Sequence, residues 1–192
     1  MRTRRAGRIF AALGAVVAAV VVAGCDTDQV GAAAVVDGER ITVGELQDEV
    51  RAYHELAGTE PTGDQTDLQR QFLNSTISHM IVNEVGQDVG VSVSEAEIDQ
   101  FIADQFSALD AEGGLTQLMV DNQLTEETFR QVIHDQIMFD KIADELGDQG
   151  SAVQRYEAAA EEMDIEINPR YGSWEGTQIQ AISGSISEPA TQ

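Results

Sequence analysis

Glycines divide the chain between Thr42 and Met163 into stretches whose apolar residues recur at helical spacing, and this punctuation limits the fold more than any other feature. Thr42 with Glu45 three residues on reads as a capping box, and the helix it opens runs to about Ala57, where Gly58 stops it. A loop with Pro61 and Gly63 follows. From about Gln65 to Asp88, Leu68, Phe72, Leu73, Ile77, Met80, Ile81 and Val85 keep the 3.6-residue period, and Gly90 ends the run. Ser94 and Glu97 form a second capping box, ahead of Ile98, Phe101, Ile102, Phe106 and Leu109 on one face. Gly113-Gly114 breaks that helix, and Leu115 to Asn122 has room for one or two further turns. Thr125 starts the next helix with Glu126 and Glu127 in its first turn, where the helix dipole favours acids, and the helix reaches Leu146. After a break at 147–150, Ser151 to Met163 is helical again.

Strand signals occur only near the two ends. Ala34-Val35-Val36 and Glu39-Arg40-Ile41-Thr42 flank an Asp37-Gly38 turn, and Ile165-Glu166-Ile167 alternates before Asn168-Pro169. A lone short strand leaves its backbone groups unpaired. The strand at Val35 is therefore expected to pair with the one at Ile167, about 130 residues away. The expected architecture is mainly α: several helices closed by a small sheet of two or three short strands from the two chain ends.

The first 24 residues are set apart from this domain. Arg2, Arg4, Arg5 and Arg8 precede an apolar run from Ile9 to Val22, shorter than the roughly 20 residues a spanning helix needs. Val22-Ala23-Gly24-Cys25 then resembles the lipobox of bacterial lipoproteins, whose cysteine takes a diacylglyceryl group and becomes the new N-terminus. The expected layout is a signal peptide over 1–24, a lipidated tether over 25–33 reaching at most about 25 Å, a helical domain over 34–172 and a disordered tail over 173–192, of which 177–192 is expected to be dispensable. The expected location is the outer face of the cell membrane, anchored by lipid on Cys25. As the only cysteine, Cys25 also excludes an intramolecular disulfide.

Four of the 11 Lys and Arg residues lie before Cys25 and none of the 34 acids does, which leaves seven cations and a formal charge of −27 for the remainder. Nucleic acid and anionic lipid headgroups both require clustered cations, so neither is an expected partner. A solvated surface accounts for the acids; attraction to basic clients or to divalent cations is the functional alternative.

No catalytic motif is present: no Gly-x-Ser-x-Gly, no Ser-x-x-Lys, no phosphate loop, and no thiol once Cys25 is lipidated. His54, His79 and His134 are isolated in sequence and none has a histidine at i+4, so no metal or cofactor is expected and the chain reads as a non-enzyme. The helix from Phe129 to Leu146 is more informative. It bears one apolar stripe through Phe129, Ile133 and Ile137 and another through Met138, Phe139, Ile142 and Leu146. Ordinary core packing is one explanation of the excess. The other is a hydrophobic groove for extended or amphipathic segments, with Phe101, Phe106, Met119, Met138 and Phe139 as candidate lining residues.

Taken in order, the segments 34–42, Val91 to Asp99, Leu124 to Ile133 and Ile165 to Gly172 resemble the N-terminal chaperone module of SurA and PrsA-type extracytoplasmic foldases. In those proteins a parvulin-type prolyl isomerase domain precedes the closing helix and strand; here only Gly147-Asp148-Gln149-Gly150 stands at that place. The resemblance thus implies binding of unfolded or newly secreted polypeptides, a holdase, without isomerisation. A scaffold lipoprotein with one fixed partner remains open. A solute-binding lipoprotein fits less well, because the alternating strands and helices of such two-lobed proteins are missing. The oligomeric state is not fixed by the sequence.

Overall fold

The computed structural model describes residues 31–182. Its elements are β1 (Ala32–Val36), β2 (Glu39–Thr42), α1 (Val43–Ala57), α2 (Thr66–Val89), α3 (Glu95–Ala111), α4 (Gly114–Asp121), α5 (Glu126–Leu146), α6 (Gln149–Glu162), β3 (Ile165–Ile167), β4 (Ser173–Glu175) and β5 (Gln178–Gln180). The mainly α class with a small closing sheet is what the sequence calls for. The segment expected to be a signal peptide, Cys25 and the expected tether up to residue 30, and residues 183–192, lie outside the described residues.

Both capping boxes form. The Thr42 hydroxyl accepts from the Glu45 N–H at 3.1 Å while the Glu45 carboxylate accepts from the Thr42 N–H at 2.6 Å; Ser94 and Glu97 do the same for α3. Each satisfies amides that a bare helix start leaves unpaired. At α5, Thr125 exchanges hydrogen bonds with Thr128 instead.

The three-stranded sheet has the order β2-β1-β3, all antiparallel. Asp37 and Gly38 both adopt positive φ, which lets β1 return as β2 through a two-residue turn. On the other edge Val36 faces Ile165 and Ala34 faces Ile167, the pairing of the two chain ends. The Asn168 N–H still donates to the Ala33 carbonyl, and Pro169, with no N–H, ends the ladder. Between α5 and α6, where SurA and PrsA carry the isomerase domain, stand only Gly147 and Asp148.

Among the described residues, apolar side chains collect in two cores. The main core joins β1 and β2 to α1, α2, α6 and the C-terminal half of α5, with Phe72, Leu73, Ile77, Ile81, Met138 and Ile142 buried. The second lies under α3 and α4 and holds Ile98, Met119, Phe129 and Ile133, with Phe106 edge-on to Phe129 at 5.4 Å. Cations brace α3 to α5 across it: Arg130 bonds Glu95 and Asp99, and Lys141 bonds Glu97 and the Ser92 carbonyl.

One boundary is corrected. Residues 173–180, expected to be part of a disordered tail, form the β4–β5 hairpin. Only Trp174 and Ile179 recommend it locally, yet Ile179 is buried against the main core and its N–H donates to the Asn74 side chain on α2. Tyr171, 1% exposed, is seated just before it, and Arg70 donates to the Tyr171 carbonyl. Gly172, at φ 135°, is required here, because a Cβ would sit 2.1 Å from the Gln180 carbonyl oxygen. The sheet also begins earlier than expected, at Ala32.

Candidate functional site

The five residues expected to line one groove do not share one. Met138 is 3% exposed in the main core, its sulfur packed over Gly86 of α2, and Phe139 is partly buried against the same core. Met119 is 5% exposed in the second core, where Phe101 and Phe106 pack at the margin. The two stripes of α5 explain the division. Phe129, Ile133 and Ile137 serve the second core, while Met138, Phe139, Ile142 and Leu146 serve the main one. The apolar excess on α5 therefore reflects a helix shared by two cores. Phe101, Phe106 and Phe139 are all partly exposed, but only the first two border depressions, and these are separate and shallow, the first with Gln100 and Ile137 and the second with Asp99 and Ile102.

The principal cleft lies elsewhere, where α1 and the starts of α3 and α5 converge. It encloses about 730 Å³. Ala52, Leu56 and Ile98 give it an apolar floor, and Glu49, Glu55, Glu95, Glu126 and Glu127 give it acidic walls. Residues 49, 52 and 56 fall on one face of α1 by helical spacing, and the N-cap at Thr125 turns the first turn of α5 toward them. The one guanidinium in the wall, Arg130, is engaged by Glu95 at 2.6 Å and Asp99 at 2.8 Å. The cleft is thus electronegative over apolar surface. A smaller cleft of about 460 Å³ shares Glu49, Ala52, Glu127 and Gln131 with it, so the two meet along the seam of α1 and α5.

At that seam two acceptor atoms, Glu49 Oε2 and Gln131 Oε1, are buried without a hydrogen-bond partner. Burial pushes the Glu49 carboxyl up from its ordinary value, against the lowering effect of the Thr125 hydroxyl. Two unmatched acceptors beside acidic walls suit a ligand rich in donors: backbone N–H groups, lysine or arginine. Sequence reasoning noticed Glu126 and Glu127, but their place in a first helical turn explained them without a cleft. Glu49, Glu55 and Leu56 carried no signal, because only the packing of α1 on α5 assembles them.

Two of the histidines come together in the fold. His79 on α2 and His134 on α5, isolated in sequence, meet in the fold with ring centroids 4.9 Å apart. His54 stays apart, bonded to Thr59 and Gln65.

A family model described as "SurA-like N-terminal domain" matches residues 1–143. No curated protein and no solved structure gives a significant match. Among the described residues, no helix is long and apolar enough to cross a membrane.

Proposed function

The chain belongs to the SurA-like N-terminal domain family, a chaperone-related family, and from that premise we propose that it is a membrane-anchored holdase whose clients are unfolded or newly secreted polypeptides. The observation that carries the reading is the cleft at α1, α3 and α5, with its apolar floor, five glutamates and single, already paired arginine. Clients would be extended segments mixing apolar and basic residues. Ala52, Leu56 and Ile98 would take the apolar side chains, and Glu55, Glu126 and Glu127 the cations. Affinity spread over area and long-range charge tolerates many client sequences, as a holdase requires. Lipid on Cys25 would hold the domain at the membrane face where secreted chains emerge. With only two residues between α5 and α6, binding would occur without prolyl isomerisation.

The test is suppression of aggregation of an unrelated, basic unfolded protein by the chain. Suppression should weaken as salt rises, since exposed charges are screened within about 8 to 10 Å near physiological ionic strength. Glu55→Lys combined with Glu126→Lys should abolish it while leaving the helical circular dichroism unchanged, because both side chains are exposed. Undiminished activity in that double variant, or none in the parent, would refute the reading. A single stoichiometric partner in pull-downs, with no general suppression, would favour a scaffold instead.

A further inference from the structure

His79 and His134 converge on one carboxylate. Asp135 Oδ1 lies 2.6 Å from His79 Nδ1 and 3.0 Å from His134 Nδ1. The three side chains are 25%, 15% and 22% exposed, neither sealed in the core nor free in water. One donor atom from each lies within 4.8 Å of the other two. Asn83, one turn along α2 from His79, places its side-chain amide 2.9 Å from His79 Nε2.

We propose that His79, His134 and Asp135 form a binding site for a divalent transition-metal ion of the Zn²⁺ class, joining α2 to α5. Two imidazoles and one carboxylate are a donor set that Zn²⁺ takes, whereas Ca²⁺ and Mg²⁺ favour oxygen ligands throughout. Zn²⁺ sits about 2.0 to 2.2 Å from such donors. Tetrahedral donors at that radius lie roughly 3.3 Å apart, so the Asp135 oxygen needs to withdraw by about 0.7 Å from His79 Nδ1 and about 0.3 Å from His134 Nδ1. The ion replaces the protons through which the two Nδ1 atoms now bond Asp135. Asn83 is a positioning residue: its side-chain nitrogen now faces His79 Nε2, and with the amide flipped its oxygen accepts from His79 Nε2–H and leaves the Nδ1 lone pair for the metal. Three protein ligands leave a fourth position, which is the arrangement of exchangeable rather than closed sites. That position is open to water or to a donor group, since His134 borders the larger cleft and His79 the smaller. The inference stands whether or not those clefts hold polypeptide.

The decisive experiment titrates Co²⁺ into the full chain carrying Cys25→Ser, so that no thiol competes, in detergent. One equivalent should give the visible absorption of tetrahedral cobalt, and Zn²⁺ should displace it. His79→Gln and His134→Gln should each remove the signal, and Asn83→Ala should weaken binding about 10- to 100-fold. Zn²⁺ at a hundredfold excess over its dissociation constant should raise the melting temperature by roughly 5 to 10 °C, and Mg²⁺ should not. If a histidine variant fails to fold, Asp135→Asn, which keeps side-chain volume, decides the matter by losing the tetrahedral spectrum. A spectrum that stays octahedral, binding that survives both histidine substitutions, or an equal response to Mg²⁺ would overturn the proposal and assign the ion to the acidic surface.

Discussion

Whether Met138 is core or client surface can be measured through its contact with Gly86. A Cβ placed on Gly86 would lie 2.6 Å from the Met138 sulfur and 3.1 Å from its terminal methyl carbon. Gly86→Ala therefore has two opposed effects. Alanine inside a helix gains about 0.5 to 1 kcal/mol over glycine, while overpacking costs about 1 to 3 kcal/mol. The sum should be neutral to destabilising. Met138→Ala opens a cavity among Ile81, Val85 and Ile142 of the same core and should cost about 2 to 5 kcal/mol. With the thioether gone the clash vanishes, so Gly86→Ala in the Met138→Ala background should stabilise by about 0.5 to 1 kcal/mol. The reversal of sign corresponds to a coupling of about 1 to 3 kcal/mol, measurable by urea unfolding followed by circular dichroism. Equal effects of Gly86→Ala in the two backgrounds, within about 0.5 kcal/mol, would refute the packing. Met138→Asp gives an independent check. A residue lining an open groove would tolerate it, but a carboxylate at a 3% exposed site has no solvation, and the variant should be unfolded.

Removing residues 177–192 should destabilise the domain, contrary to what a disordered tail implies. Burial of Ile179 alone contributes about 1.5 to 3 kcal/mol, which at about 2 to 4 °C per kcal/mol lowers the melting temperature by roughly 3 to 12 °C; an unchanged melting curve would mean that the hairpin adds nothing. The hydrogen bond from Lys141, with those from the Ser94 amide and hydroxyl, lowers the Glu97 carboxyl to about 2. Because the folded value lies below the ordinary 4.5, its contribution to stability is present above pH 4.5 and is lost as pH falls through about 2. In an NMR titration Lys141→Met should move the Glu97 midpoint partway back toward 4.5, the Ser94 bonds remaining, and an unmoved midpoint would dismiss the ion pair. Cys25→Ser should release the protein from the membrane fraction; retention with unaltered mobility would dismiss lipidation.

Local signals were enough for the helices. Thr42 with Glu45, Ser94 with Glu97, and Gly58, Gly90 and Gly147 act on backbone groups within four residues, so the sequence displays both the signal and its effect. The closing sheet was legible for a different reason: with strand signals only at the two ends, β3 had no sensible partner but β1. What sequence periodicity could not resolve is which neighbour each apolar stripe of α5 meets. Two stripes on one helix fit one core plus a groove as well as two cores, and only the packing of α3 and α4 on one side and α2 on the other decides for two. The β4–β5 hairpin was hidden because its few apolar residues gain their burial from α2, about 100 residues earlier. The acidic cleft and the His79–His134–Asp135 cluster were hidden for the same reason. Each draws residues from different helices with no fixed spacing between those helices, and the packing of α1, α2, α3 and α5 brings them together.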